Sequence, residues 1–339
     1  MEFDYQKALD YLLDIAYMRK ISKVQLCEGI CDPSNFSKIC SGKRKITLSL
    51  LLQLTFKLNI SFDDLKLHAS FENPDEYVNI VHQLKQLRKR KDYHEIKMLH
   101  QKYQDKYATY NLEAKQLFTW MRGLTELFVY HNPLYSMDLL KKSILISTPS
   151  FSFELLNLEI LNEQELDILF DFLVAYLGYE EKSRPISEYQ LDFPTTACTT
   201  VIEELSQRST NSDMTLFPKF CSMLAMIYVI VENEALLKHY AMKGVKYCQI
   251  HSELSLIPDL YMMLIYYERL FGSEERALQY FYESIYLYHL QNRQPIFYKN
   301  LDYFIREQQL NVDLEKVKQL TQTLSDSIEV SHQQDNLFR

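Results

Sequence analysis

The first 70 residues alternate short apolar stripes with polar breaks, a pattern that predicts five short helices. The first stripe has the three- and four-residue spacing of a helix face and consists of Ala8, Leu9, Leu12, Leu13 and Ala16. Four further helices are predicted to start at residues whose side chains can accept hydrogen bonds from a helix N-terminus: Ser22, Asp32, Thr47 and Ser61.

Two of these helix starts carry a second signal. Gln25 stands three residues after Ser22 and completes a capping box. Pro33 follows Asp32 at the first helical position, where its missing N–H removes no helical hydrogen bond. With a tight turn at residues 29–31 between the two helices, this segment predicts a helix-turn-helix whose second helix spans residues 32–40.

A charged helix is predicted after Asn73-Pro74, with a narrow apolar stripe at Val78, Val81, Leu84 and Leu87. Beyond about Tyr93 the pattern is helical throughout, and a period of 40 residues relates "LFPKFCSML" at 216–224 to "LIPDLYMML" at 256–264. The second helix of each unit has a packing face at equivalent positions. In the first unit this face is Leu237, Ala241, Gly244, Val245 and Cys248, and in the second it is Ala277, Phe281, Ser284, Ile285 and Tyr288. A further unit is expected near Pro295.

Repeated helix pairs that cannot bury their apolar faces alone stack into an α-solenoid, here similar to the tetratricopeptide (TPR) class. We therefore predict an all-α fold, with an N-terminal five-helix helix-turn-helix domain followed by a TPR-like α-solenoid. The predicted limits are 1–68 for the helix-turn-helix domain, 69–92 for a linker helix, 93–330 for the helical-repeat domain and 331–339 for a tail.

Composition agrees with this organisation. Only 6 Gly and 9 Pro interrupt 339 residues, too few for the turns of a β-rich protein. The net charge is −8, yet residues 1–70 carry ten Lys and Arg against eight Asp and Glu. A slightly basic N-terminal segment in an otherwise acidic chain indicates that this segment binds a polyanion. Neither a secretory signal nor a membrane span is evident, so we expect a cytoplasmic protein with reduced thiols and no membrane partner.

The candidate chemistry is sparse. No phosphate-binding loop, nucleophile elbow or metalloprotease motif is present, so we expect no catalytic residues, no cofactor and no enzyme activity. The spacing of Cys27, Cys31 and Cys40 does not suit zinc, because no fourth ligand follows at the required distance. A packing role is favoured for the first two, and a redox-sensing thiol at Cys40 stays an open alternative.

The second helix of the helix-turn-helix would turn Phe36 and Ile39 inward and its polar residues outward, as suits the base edges of a DNA major groove. Residues before and after it can hold phosphates. The predicted DNA-binding residues are Ser22, Lys23, Pro33, Ser34, Asn35, Ser37, Lys38, Lys43 and Arg44.

The segment "SKVQLCEGICDPSNFSKICSGKR" resembles the helix-turn-helix of the XRE class, and more narrowly that of the Rgg/PlcR/PrgX family of peptide-pheromone-sensing regulators. The matching residues are Leu26, Gly29, Ile30, Cys31, Ser34, Ser37, Lys38, Ile39, Ser41 and Gly42. Two positions depart from the family pattern: Cys40 replaces a common Glu, and Lys23 replaces a common Gln.

This resemblance implies a dimeric transcription regulator that binds a palindromic double-stranded DNA operator and is switched by a short peptide in quorum sensing. An extended peptide would lie in the concave groove of the solenoid. The predicted peptide-binding residues are Ser222, Met226, Met262, Tyr266, Arg269, Asn300, Asp302 and Arg306. The alternative is a helical-repeat adaptor that binds protein or peptide and whose head no longer binds DNA.

Overall fold

The computed structural model describes residues 3–207, 215–291 and 310–322, and this part of the chain forms helices without strands. The predicted all-α class is confirmed. The chain divides into two compact units, one of residues 1–89 with 94–121 and the other of residues 90–93 with 122–339. The finer domain limits drawn from the sequence stay predictions.

The first unit begins with the five predicted short helices and continues into a longer one. Its helices are α1 (Tyr5–Met18), α2 (Lys23–Cys27), α3 (Pro33–Cys40), α4 (Leu48–Lys57), α5 (Phe62–Ser70), α6 (Pro74–Arg90), most of α7 (Tyr93–Tyr107) and the first part of α8 (Leu112–Phe128).

Helices α1 to α5 share one apolar core and are called the head below. The predicted stripe of α1 supplies Ala8, Leu9, Leu12 and Ala16, all fully or almost fully buried. They pack with residues from the other four helices, namely Leu26, Phe36, Ile39, Leu51, Leu54 and Leu65. The head therefore has its own core, around which the helix-turn-helix is fixed.

An aromatic cluster follows the head within the same unit. The ring of Phe71 stacks on Tyr77 at a centroid distance of 3.9 Å and on Tyr110 at 5.5 Å. Tyr107 lies beside these rings with its side chain buried, and its hydroxyl donates to Glu76. Burial raises the pKa of the Tyr107 hydroxyl to about 12. The cluster thus joins the end of α5, α6, α7 and the start of α8.

The buried face of α6 differs from the predicted stripe. Tyr77, Ile80 and Leu84 are buried, whereas Val78 is 46% exposed. Of the predicted stripe, Leu84 is buried and Val81 and Leu87 are half-buried, whereas the prediction of Val78 as a packing residue is wrong. The face is decided by Tyr77, which joins the aromatic cluster.

The described part of the second unit is an array of helices. Its helices are the end of α8, α9 (Pro133–Ser147), α10 (Glu163–Ser183), α11 (Asp192–Gln207), α12 (Leu216–Ile230), α13 (Glu234–Ile250), α14 (Ile257–Phe271), α15 (Glu274–Leu290) and a last helix, α16, at 314–322. Helix α9 has no counterpart in the sequence prediction, although Asn132 caps it and Pro133 opens it.

The 40-residue repeat is confirmed for the two helix pairs α12–α13 and α14–α15. All five predicted packing residues of α13 are buried, and so are all five of α15. Gly244 of α13 lies so close to α14 that an added Cβ would be 2.6 Å from the side chain of Leu260. The further unit expected near Pro295 lies outside the described residues.

Candidate nucleic-acid and peptide interfaces

Helix α2 is held at both ends by side chains. The Ser22 hydroxyl accepts a hydrogen bond from the backbone of Gln25, whose side chain accepts one from the Ser22 backbone, so the predicted capping box is present. At the other end, Lys57 Nζ donates to the carbonyls of Gln25 at 2.6 Å and Glu28 at 2.7 Å. A five-residue helix cannot satisfy its own terminal groups, so these contacts fix its position in the head.

The turn between α2 and α3 depends on a glycine. Gly29 has φ of +76°, a left-handed conformation that costs a glycine little and most other residues more. Cys27 is fully buried just before the turn, and Ile30 and Cys31 pack against the core of the head just after it. The packing role predicted for Cys27 and Cys31 is confirmed.

Helix α3 starts and is anchored as predicted. The Asp32 carboxylate accepts hydrogen bonds from the backbone N–H groups of Ser34 at 2.8 Å and Asn35 at 3.2 Å. The pKa of Asp32 is lowered, mainly by a hydrogen bond from the Ser34 side chain and to a smaller extent by these two backbone hydrogen bonds. Phe36 and Ile39 are buried, so the opposite face of α3 is turned away from the core.

Most predicted DNA-binding residues are exposed on or beside this face. On α3 these are Pro33, Ser34, Ser37 and Lys38; the flanking ones are Ser22, Lys23, Lys43 and Arg44. Asn35 is half-buried, and the guanidinium of Arg44 donates from Nη1 to Asn35 Oδ1 at 2.7 Å. The structure thus brings together Asn35 and Arg44, which are nine residues apart in the sequence.

The segment after α3 is also fixed. Gly42 has φ of +71° and donates its N–H to the carbonyl of Ile39 at 2.9 Å. The N–H of Lys43 donates to the carbonyl of Lys38, also at 2.9 Å. These two bonds form a Schellman motif, which closes α3 and sets the direction of the chain that carries Lys43 and Arg44.

The three head cysteines show no sign of a metal site. No group of three or more His, Cys, Asp or Glu side chains that could hold a metal ion occurs among the described residues. Burial raises the pKa of Cys31, and it raises the pKa of Cys40 against the opposing charge of Lys23. A raised pKa lowers the thiolate fraction, which does not favour Cys40 as a redox-sensing thiol.

Five of the predicted peptide-binding residues lie on two neighbouring helices of the second unit. Ser222 and Met226 are on α12, and Met262, Tyr266 and Arg269 are on α14; all five are half-buried. The residues recur three or four positions apart, so each group lies on one face of its helix. The two helices, α12 and α14, pack against each other. The remaining three, Asn300, Asp302 and Arg306, lie outside the described residues.

These five residues are not equivalent. Met262 packs against the buried cluster that contains Ile265 and Phe281, so it has a structural role whatever else it contacts. One turn before Ser222, Lys219 forms a half-buried ion pair with Asp167 of α10 at 2.7 Å. This pair could not be predicted from local sequence patterns, because its members are separated by 52 residues.

A membrane-spanning helix is not found: within the described residues, no helix is both long enough and apolar enough to cross a bilayer.

Three solved structures resemble the chain over most of its length. PlcR of Bacillus thuringiensis, in complex with the peptide PapR7 and DNA, aligns with a TM-score of 0.69 at 18% identity, over 87% of this chain and 98% of PlcR. The SHP pheromone receptor Rgg2 of Streptococcus dysgalactiae aligns with a TM-score of 0.53 at 12% identity, over 90% of this chain and 100% of Rgg2.

ComR of S. thermophilus, in complex with DNA and its signalling peptide ComS, aligns with a TM-score of 0.53 at 13% identity, over 95% of this chain and 100% of ComR. No family model and no curated protein matches the sequence. The chain thus has the helical, TPR-like fold of these pheromone-sensing regulators, which confirms the family resemblance at the level of the fold.

Proposed function

We propose that the chain is a DNA-binding transcription regulator, not an enzyme, and that a short peptide bound to its helical-repeat domain controls its affinity for DNA. Two copies would bind the two halves of a palindromic operator, each with α3 in a major groove. The observation that carries the proposal is the construction of α3, whose Phe36 and Ile39 are buried while its polar face is exposed.

The fold supports the regulatory part. PlcR and ComR were each solved with DNA and a peptide bound, and Rgg2 is a pheromone receptor. In this chain the half-buried residues Ser222, Met226 and Tyr266 lie on the packed helices α12 and α14. Such a surface offers an extended peptide both apolar contacts and hydrogen-bonding groups.

The DNA-binding part is tested with the double variant Asn35→Ala/Lys38→Ala. Both side chains lie outside the apolar core of the head, so the variant is expected to fold normally and to lose binding to DNA from the region upstream of its own gene. The measurement is a fluorescence anisotropy titration at stated salt, together with far-UV circular dichroism.

The matched control is Gln53→Ala/Lys115→Ala, which removes one amide and one lysine from exposed positions outside α2 and α3. It should bind like the wild type. Wild-type affinity of the Asn35/Lys38 variant would refute α3 as the recognition helix and favour the adaptor alternative. The regulatory part is tested by repeating the titration with synthetic short peptides encoded beside the gene, which should change the DNA affinity.

A further inference from the structure

Asn35 and Arg44 make a contact that distinguishes Arg44 from its neighbour Lys43. Arg44 Nη1 donates a hydrogen bond of 2.7 Å to Asn35 Oδ1. The backbone N–H of Lys43 contributes to the Schellman motif, while its side chain is exposed and makes no hydrogen bond or ion pair with the described residues. The sequence gives these two cations the same role, whereas the structure couples only Arg44 to a residue of α3.

This contact orients the Asn35 side chain. A side-chain amide has an accepting end and a donating end, and here the accepting end faces a guanidinium. None of the described residues accepts a hydrogen bond from Asn35 Nδ2, so the donating end is available to a ligand. The exposed surface at this point of α3 therefore consists of N–H donors beside a fixed positive charge.

Adenine and guanine differ in how well their major-groove edges pair with a surface of N–H donors. Asparagine recognises adenine by accepting a hydrogen bond from the N6 amino group and donating one to N7. At Asn35 the Arg44 guanidinium takes one of the two lone pairs of Oδ1, and its positive charge would repel the partial positive charge of that amino group. Guanine presents two acceptors, N7 and O6, with no donor between them, and arginine is its commonest partner.

We infer that Asn35 and Arg44 act as one donor unit that recognises a guanine in each half of the operator. This inference rests on the proposed DNA-binding function. Arg44 has two parts in it, since it positions the Asn35 amide and adds its own positive charge and N–H groups beside the base. Lys43 contributes only a phosphate contact, which carries no sequence information.

The test is a selection from a pool of randomised DNA duplexes with the full-length chain, with and without the synthetic peptides used above. Four proteins are compared: the wild type, Asn35→Ala, Arg44→Met and Lys43→Met. Both methionine variants remove one exposed cation of similar length from adjacent positions, so they are matched controls for each other. The position at which Asn35→Ala loses its base preference identifies the base pair that Asn35 contacts.

At that position the wild type should prefer guanine to adenine by about tenfold, the usual size of a specific base contact. Arg44→Met should reduce this preference to below about twofold and leave the other positions of the motif unchanged. Lys43→Met should keep the whole motif while weakening all sequences alike, and should reduce the slope of log affinity against log salt by about 0.9 per head.

Two results would overturn the inference while leaving the DNA-binding function intact. One is a wild-type preference for adenine at the position that Asn35 contacts. The other is an Arg44→Met variant that behaves like Lys43→Met, with lower affinity and an unchanged motif. A wild-type protein that enriches no motif under any condition would instead refute the proposed function itself.

Discussion

Replacing Gly244 by alanine should destabilise the second unit, although alanine is the better helix former. In the middle of a helix alanine is favoured over glycine by about 0.8–1.0 kcal/mol. At Gly244 the new Cβ would lie 2.6 Å and 3.0 Å from the two methyl carbons of Leu260 and 3.1 Å from Cys221 Cβ. Carbon atoms pack at about 3.5–4.0 Å, so the neighbours must move.

The required movement is costly because Leu260 and Cys221 are themselves fully buried. Inserting a methyl group into a packed core costs about 1–3 kcal/mol. Subtracting the gain in helix propensity leaves a net loss of about 0–2 kcal/mol for Gly244→Ala. The uncertainty in propensity can be removed by a second glycine in a different setting.

Gly178→Ala is that control. Gly178 lies within α10, and its added Cβ would be 3.9 Å from Pro133 Cβ, an ordinary contact distance. This variant should therefore gain stability by about 0.8–1.0 kcal/mol. The difference between the two variants, about 1–3 kcal/mol, isolates the packing cost at Gly244 because the propensity contributions cancel.

The assay is urea unfolding followed by far-UV circular dichroism, with midpoints compared at equal slope. A Leu260→Ala background should abolish the cost of Gly244→Ala, since the crowded methyl groups are gone. Equal and stabilising shifts for Gly178→Ala and Gly244→Ala would refute the close approach of α13 to α14.

Two other predictions concern the aromatic cluster and the candidate groove. A hydrogen bond from Lys106 is the main cause that lowers the pKa of Glu76 from its usual value of 4.5. The ionised Glu76 carboxylate therefore stabilises the folded state above pH 4.5, and this stabilisation is lost as the pH falls through the lowered pKa. Glu76→Gln should therefore lower the unfolding midpoint more at pH 7 than at acid pH, and its effect should shrink as the pH falls below 4.5. The midpoint is followed by fluorescence of the only tryptophan, Trp120, which is buried in the same unit, and a loss of equal size at every pH would contradict this. Tyr266→Ala should weaken binding of a regulatory peptide by about tenfold or more in a calorimetric titration, whereas Tyr286→Ala on exposed surface should not, and equal losses would exclude a groove site at Tyr266.

The parts of the fold that followed from the sequence are those decided by neighbours in the chain. The capping box of α2, the start of α3 and its glycine-terminated end depend on residues within a few positions of one another. The same holds for the buried faces of α13 and α15, where helical periodicity alone selects the residues. Local chemistry was sufficient in each case.

The buried face of α6 could not be predicted from helical periodicity. Two stripes about one residue apart are nearly equal in apolar content, and the one chosen from the sequence omitted Tyr77 and Ile80. What decides between them is the stacking of Tyr77 on Phe71, a contact with the end of the head. Periodicity cannot rank two such faces, because the partner that buries one of them lies elsewhere in the chain.

The charge of the head illustrates the same limit at the candidate DNA interface. The sequence counts ten basic residues in positions 1–70, but several of them are engaged with the protein itself. Arg19 donates to the carbonyl of Leu58, Lys57 holds the end of α2, and Lys66 pairs with Glu113. These three cations are engaged with other groups of the protein, so they are less available to hold phosphates.

The cations proposed to face DNA are therefore Lys23, Lys38, Lys43 and Arg44, and Arg44 is already committed to Asn35. So few phosphate contacts per head give weak binding to arbitrary DNA at physiological salt. In the proposed regulator, useful affinity would then come from polar contacts to base edges and from the binding of two copies to one operator. If the chain binds DNA as the proposed dimer, a peptide bound to the helical repeats could control DNA affinity by changing the spacing of the two DNA-binding heads.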